Sequence, residues 1–300
     1  MFPLHITTLY EKGISTTNED RYLCIHEKGI FAVMDGATGL GKLTGELAAQ
    51  TICDRLQEIQ PEENLLDVTL SANQLLGKRV RELMGVDQVE EIPKTDRSTT
   101  GLVAVRFLEN NTMEYVHSGD CMIMVEYEEG VLRMLTHDSL SRLDEIAIRE
   151  RAQLLQEKAG DENPNGWSDE KRKQVNQEIW QELQEVLQRN RNLLNTKEGY
   201  PVLDGSKKAE QMISYGLIPL IRARKILLLS DGLVLPHQKA SADQMWIETA
   251  KLAFSQGLPA LYEQVQSLEE ADPMCYLYPR FKKADDKTGI LIELNKNSTL

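Results

Sequence analysis

Short apolar runs and longer amphipathic stretches alternate along the 300 residues of this chain. Apolar runs bounded by Gly, Asn and Asp are typical of strands, and apolar residues three or four positions apart are typical of helices. The pattern predicts strands over residues 4–10, 21–26, 30–34, 99–107, 112–117, 121–127, 131–135, 225–230 and 288–294. It predicts helices over residues 41–59, 63–84, 140–158, 169–194, 241–256 and 258–270.

The order of these elements indicates the fold class. Short polar turns join the four strands between residues 99 and 135, which predicts an antiparallel meander. Residues 202–224 are interpreted as irregular chain. Strands gather at both ends of the sequence with helices between them, and the two types do not alternate regularly. We therefore expect one α+β domain.

Composition and charge limit the classes of partner and the cellular compartment that we expect for this chain. The net charge of −13 argues against nucleic acid or an anionic membrane as the main partner. No apolar run approaches the roughly 20 residues that span a bilayer. The first residues lack the basic and apolar regions of a signal peptide, so we predict a cytoplasmic protein. The four cysteines have no paired spacing, which favours neither a zinc site nor a disulfide framework.

Acidic residues recur where predicted strands end. Asp35-Gly36 follows one apolar run and Asp231-Gly232 follows another. Further acidic positions next to strands are Glu19, Asp20, Asp120, Asp285 and Asp286. Asp and Gly are ordinary turn residues, so a single such site means little. Several of them together suggest carboxylates that converge on a hard divalent cation, which prefers oxygen ligands.

In chain order, these segments resemble the motifs of the bacterial metal-dependent protein phosphatase 2C (PPM) family. One such motif alone is weak, but all of them stand in family order and together cover most of the chain. The motifs are Asn18-Glu19-Asp20, Phe31-Ala32-Val33-Met34-Asp35-Gly36, Arg97-Ser98-Thr99-Thr100-Gly101, Val116-His117-Ser118-Gly119-Asp120, Leu135-Thr136-His137-Asp138, Leu228-Leu229-Ser230-Asp231-Gly232-Leu233 and Asp285-Asp286-Lys287-Thr288.

The resemblance implies one domain over residues 1–300, with a helical insertion at about 140–215. Its core would be a β-sandwich of two antiparallel sheets flanked by helices. It also implies two Mn²⁺ or Mg²⁺ ions and a third, weaker one. Asp35 would bridge the two metals, and the Gly36 carbonyl would complete one site. The remaining implied roles are metal ligand for Glu19, Asp120, Asp231 and Asp285, and outer-shell support for Asp20 and Asp286.

The implied activity is hydrolysis of phosphoserine and phosphothreonine in proteins. A water that bridges the metals would attack phosphorus directly, without a covalent phospho-enzyme, and Asp35 and Asp231 would be the catalytic residues. The implied partner is a phosphorylated protein, with a Ser/Thr kinase acting in opposition. We predict a monomer. The sequence assigns no residue to substrate binding.

Two departures from the family pattern leave alternatives open. Ala37 stands where many members have a His proposed as the general acid, and Ser15 stands where many have a phosphate-binding Arg. Arg21 or another basic residue is a candidate replacement for that Arg. The chain is therefore either an active phosphatase or a catalytically impaired member that binds phosphoproteins or regulates a partner. A metal-dependent phosphodiesterase is a more distant third reading.

Overall fold

A computed structural model describes residues 4–239 and 241–294 of the chain. Its strands are β1 (Leu4–Glu11), β2 (Arg21–Ile25), β3 (Ile30–Ala37), β4 (Thr99–Leu108), β5 (Thr112–Ser118), β6 (Met122–Tyr127), β7 (Leu132–Met134), β8 (Ser214–Pro219), β9 (Ala223–Leu229) and β10 (Lys287–Leu294). Its helices are α1 (Gly45–Gln57), α2 (Leu65–Met84), α3 (Ser141–Ala159), α4 (Asp169–Asn192), α5 (Lys207–Glu210) and α6 (Ala242–Ala271).

The strands form two antiparallel five-stranded sheets, as predicted. One sheet has the order β1-β10-β9-β6-β7 and the other has the order β2-β3-β4-β5-β8. Alternate side chains of both sheets meet in one buried apolar layer that includes Phe31, Val103, Ile123, Leu228 and Ile290. Because side chains alternate across a strand, the remaining residues of each strand face outwards, where helices cover them.

The helices pack on the two outer faces of this sandwich. Helices α1 and α2 cover the sheet that contains β3 and β4, and their cluster includes Ile52 and Leu76. Helix α6 covers the other sheet and brings Trp246 and Leu261 into contact with β9. Capping residues define where the long helices begin; the Asn64 side chain, for example, accepts a hydrogen bond from Asp67 N. The result is a helix–sheet–sheet–helix layering.

Antiparallel pairing brings the acidic strand ends to one end of the sandwich. Asp35 lies opposite Gly101 in the β3–β4 pair. In the other sheet, Leu229 lies opposite both Gly289 and Met122. The residues that follow β3 and β9, and those that precede β6 and β10, therefore share this end of the molecule.

The structure corrects several element predictions. The predicted meander is wrong, because β5 pairs with β4 and β8 whereas β6 pairs with β7 and β9. The chain crosses between the sheets at residues 119–121. Strand β3 continues to Ala37, so Asp35 lies within the strand rather than after it. Strand β8 occupies part of the stretch interpreted as irregular. The break predicted in the last helical region is present, at Gly257, whose φ is 87°.

The predicted insertion contains the two long helices α3 and α4. They form a helical pair with its own apolar cluster, which includes Leu155, Trp167, Ile179 and Leu183. Met274, from the segment between α6 and β10, completes this cluster. Since β8 belongs to the sandwich, the insertion ends before Ser214.

Candidate metal centre

The two Asp-Gly motifs are placed by close backbone contacts that only glycine permits. A Cβ atom on Gly36 would lie 2.4 Å from the Glu19 carbonyl oxygen. A Cβ atom on Gly232 would lie 1.9 Å from the Asp286 carbonyl oxygen. Both distances are far below van der Waals contact. Each glycine therefore lets the residue before it, Asp35 or Asp231, sit against a neighbouring segment of the acidic end.

Four carboxylates converge at this end and are called here the carboxylate cluster: Asp35, Asp120, Asp231 and Asp285. Ligand atoms of Asp35 and Asp120, together with the thiol of Cys121, lie within 4.8 Å of one another. Asp231 is near enough for its charge to act on both Asp35 and Asp120. Asp285 is near enough for its charge to act on both Asp35 and Asp231.

Burial and mutual repulsion raise the pKa values of Asp35, Asp120 and Asp231. Burial contributes most to the raised pKa of Asp35, followed by the charges of Asp20 and Asp231. The pKa of Asp120 is raised by burial and then by Asp231. Burial and the charge of Asp285 raise the pKa of Asp231 to about 6. The protein itself thus offsets only part of the negative charge of these groups.

Asp20 and Asp286 form hydrogen bonds with the segments that carry the cluster, and their outer-shell role stays a prediction. The Asp286 carboxylate accepts hydrogen bonds from Gly13 N and Glu19 N, each at 2.8 Å. Asp20 accepts a 2.8 Å hydrogen bond from the hydroxyl of Ser230, the residue before Asp231. Burial, with the charges of Asp285 and Asp286, raises the pKa of Asp20 to about 8.

Glu19 is oriented differently from the other proposed ligands. Its carboxylate accepts a 3.1 Å hydrogen bond from Gly45 N at the start of α1, and it is also bonded to the Thr38 hydroxyl. The neighbouring Gly36 backbone keeps Glu19 close to Asp35, but its oxygens face the helix terminus. A ligand role for Glu19 stays a prediction, and it requires this side chain to exchange those contacts.

The donor set fits a pair of hard divalent cations. Half-buried carboxylates that repel one another are stabilised most by a cation of high charge. Oxygen ligands also suit Mn²⁺ and Mg²⁺. The sulfur of Cys121 does not change this assignment. Burial and the charges of Asp35 and Asp120 raise the pKa of its thiol well above the ordinary value, so it stays protonated.

The structure adds residues that sequence reasoning missed. Asp144, in the first turn of α3, has its pKa raised to about 8 by burial and by the charges of Asp231 and Asp138. Lys282 forms an ion pair with Asp285, with Nζ and Oδ1 2.6 Å apart. The available signals were weak, because acids are common in first helical turns and Lys282 stands in a run of polar residues.

Comparison with known proteins shows which proteins share the fold of this chain. No protein-family model matches the sequence, and no curated protein sequence matches it. The serine/threonine phosphatase PstP of Mycobacterium tuberculosis is similar with a TM-score of 0.53 and 20% identity, over 97% of this chain and 99% of that one. A structure of the PstP catalytic domain with two manganese ions is similar with a TM-score of 0.53 and 19% identity, over 97% of this chain and 98% of that one. The PPM Ser-Thr phosphatase MsPP of Mycobacterium smegmatis, in complex with cacodylate, is similar with a TM-score of 0.51 and 18% identity, over 97% of this chain and 98% of that one.

The chain has the fold of the PPM phosphatases. The predicted fold class, α+β with two antiparallel sheets flanked by helices, is thereby confirmed. The carboxylate cluster lies at one end of the PPM sandwich, where pairing within each sheet places that sheet's acidic strand ends. At identities of 20% and below, these likenesses speak for the fold, and the chemistry of the site has to be argued from its own residues.

Within this PPM fold, Arg21, the candidate replacement for the phosphate-binding Arg, is bonded mainly to its own surroundings. All three nitrogens of its guanidinium donate hydrogen bonds that hold β2 in place. Their acceptors are Gln50 Oε1, Glu46 Oε1, the Tyr10 hydroxyl, and the carbonyl oxygens of Asn18 and Asp20. Arg21 would therefore have to exchange some of these contacts to hold a phosphate with two N–H groups.

Proposed function

We propose that this chain is a metal-dependent phosphoserine/phosphothreonine protein phosphatase. The observation that carries the proposal is the carboxylate cluster, in which buried acids raise one another's pKa values at one end of a PPM sandwich. Proteins seldom bring uncompensated carboxylates together without a cation to bind them. Two structures of the Ser/Thr phosphatase PstP have a similar fold, and one of them holds two manganese ions, which supports the same function.

Each carboxylate has a proposed task. Asp35 would contact both cations, because a carboxylate oxygen of it lies within 4.8 Å of one of Asp120, and the charges of Asp231 and Asp285 also act on it. Asp231 and Asp285 would hold one cation, the Gly36 carbonyl would complete the second site, and Asp120 would hold a third, weaker ion. When bound, the two cations would supply the positive charge that activates water and neutralises a phosphoryl group.

The remaining residues keep these ligands in place. Asp286 fixes the β1–β2 segment through Gly13 N and Glu19 N, so the acidic loop cannot drift from β10. The Ser230 hydroxyl holds Asp20 beneath Asp231. Glu19 would become a ligand only by giving up its bond to Gly45 N. No side chain is assigned to protonate the leaving group, since Ala37 follows Asp35-Gly36 and is exposed.

The partner and setting follow from the proposed reaction. The substrate would be a phosphorylated protein, and a Ser/Thr kinase would act in opposition. No helix of the described residues is long and apolar enough to cross a membrane. A monomeric state and a cytoplasmic location stay predictions.

The test is hydrolysis of p-nitrophenyl phosphate and of a phosphothreonine peptide, with manganese and with a chelator. We expect manganese-dependent turnover of both substrates, abolished by the chelator. Asp231→Asn should remove the activity and thereby exclude a contaminating phosphatase. Activity that survives the chelator would contradict the proposal.

A catalytically impaired, phosphoprotein-binding role is the second candidate. Ala37 and Ser15 favour it, because they replace the general acid and the phosphate-binding Arg of many family members. The same assay decides between the two. Manganese binding without turnover, combined with retention of a phosphothreonine peptide, would establish the binding role.

A further inference from the structure

Lys282 is a cation placed within the carboxylate cluster. It lies in the segment between α6 and β10, and its ammonium contacts Asp285 at 2.6 Å. Burial lowers the pKa of this ammonium, but the charges of Asp285, Asp231 and Asp35 outweigh burial and raise it above the ordinary lysine value. The Lys282 side chain retains 37% of its exposure, so it can leave Asp285 towards solvent.

The other cations near this site do not pair with the carboxylates of the cluster. Lys287 pairs with Glu269 of α6 at 3.0 Å, and its ammonium donates to the backbone carbonyl of Asp285 at 2.9 Å rather than to the carboxylate. Arg21 is held by acceptors around β2. Lys283 is exposed and has no ion pair with a described residue. Among the ion pairs of residues 4–239 and 241–294, that of Lys282 is the one that involves a proposed metal ligand.

We propose that Lys282 is an internal counter-ion that pairs with Asp285 in the metal-free protein and is displaced when a divalent cation binds there. The proposal rests on the metal-binding part of the proposed function, not on turnover. Asp285 has a limited number of oxygens, and an ammonium at hydrogen-bond distance repels a divalent ion on the same carboxylate. The metal and Lys282 therefore compete for one ligand.

This competition has two consequences of opposite sign. Without metal, Lys282 offsets part of the repulsion within the cluster, so its removal should lower the melting temperature. With metal, Lys282 must first be released, so its removal should tighten binding. A purely structural lysine would lower stability and leave metal affinity unchanged or weaker.

The test compares Lys282→Met with Lys283→Met, a matched change at the exposed neighbouring position. Manganese affinity is measured by titration calorimetry, and the melting temperature is measured in chelator. We expect Lys282→Met to bind manganese about tenfold more tightly, equivalent to roughly 1.4 kcal/mol, and to melt lower than wild type without metal. Lys283→Met should match wild type in both measurements. Lys282→Arg keeps the charge and should also bind manganese as wild type does.

Each outcome has a defined meaning. Equal or weaker manganese affinity in Lys282→Met overturns the counter-ion role, even if the wild type is an active phosphatase. Tighter affinity supports the role, even if the wild type has no turnover. Binding by Lys282→Met alone would also support it, since the lysine would then block the wild-type site. Absence of binding in every variant overturns both this inference and the metal centre. If Lys282→Met does not fold in chelator, manganese affinity that is identical in Lys282→Gln and Lys282→Arg overturns the inference.

Discussion

The protein buries carboxylates in two contrasting ways. Asp272, after α6, is fully buried, yet hydrogen bonds surround it. Its donors are Tyr276 N, Leu277 N, Tyr278 N, Asn165 Nδ2 and Arg280 Nη1, at 2.8 to 3.1 Å. Burial alone would raise the pKa of Asp272, but these donors outweigh it and hold the pKa below the ordinary value. At Asp35, burial and acidic neighbours raise the pKa together.

The difference separates a structural carboxylate from a functional one. Asp272 requires no bound cation, because backbone and side-chain donors stabilise its charge. Asp35 and Asp231 lie close enough to Asp285 for acidic neighbours to add to the effect of burial, and the ammonium of Lys282 offsets only part of this repulsion. A site that the protein leaves electrostatically incomplete is a candidate for binding what completes it.

The largest expected effect is the loss of turnover when Asp35 is substituted. Asp35→Asn keeps the shape but removes the charge assigned to both cations, so turnover should fall by about 10³-fold or more. Phosphopeptide kinetics at saturating manganese measure this, with Asp87→Asn on the exposed surface as control. Near wild-type turnover in Asp35→Asn would show that the bridging assignment is wrong.

Next in size is the loss of stability at Asp272. Asp272→Asn breaks a buried ion pair with Arg280 and several hydrogen bonds, so the free energy of unfolding should fall by about 3–5 kcal/mol. Urea unfolding should give the same loss in chelator and in manganese. Turnover per folded molecule should persist. A loss that depends on metal would place Asp272 with the carboxylate cluster instead.

A smaller effect concerns pH in the absence of metal. The folded-state pKa values are raised to about 8 for Asp20 and to about 6 for Asp231. Their contribution to stability is complete below the unfolded pKa near 4 and is lost as pH rises through these values. In chelator, the free energy of unfolding should thus rise by about 1–3 kcal/mol from pH 8 to pH 5. Asp20→Asn should flatten this slope, and an unchanged slope would exclude Asp20 as its source.

The smallest expected effect is at Asp120, assigned to the weaker third ion. Asp120→Ala should retain two tightly bound cations and lose about tenfold in phosphopeptide turnover. If Asp120 only shapes the connection between the two sheets, the variant should be slightly less stable and fully active. Calorimetric metal counting with kinetics on the same variant distinguishes these roles.

The sequence predicted the parts of this molecule that depend on local pattern. Apolar runs located β3 and β9, and the repeated Asp-Gly pointed to the acidic end of the sandwich. Pairing between strands that are distant in the sequence was harder to predict. The short turn before Asp120 looks like a hairpin turn, but consecutive apolar strands carry no signal of which sheet each one joins.

Side-chain orientation was also beyond the sequence pattern. Lys282 and Lys283 are identical neighbours, and only the path of the chain decides that the first reaches Asp285. Glu19 stands in a motif with Asp20, yet the start of α1 attracts its carboxylate. Strand β8 was missed because most of its side chains are exposed, so it has no buried apolar run.

The central claim is that the carboxylate cluster is completed by divalent cations. Thermal unfolding in chelator and in millimolar manganese tests it most directly, because cations that bind only the folded state stabilise it. At a hundredfold excess over the dissociation constant the gain is about 2.7 kcal/mol, which corresponds to a rise of several degrees. We predict this rise for the wild type and for Asp272→Asn, and its loss in Asp35→Asn. An equal melting temperature with and without manganese, or an equal rise in Asp35→Asn, would contradict the account.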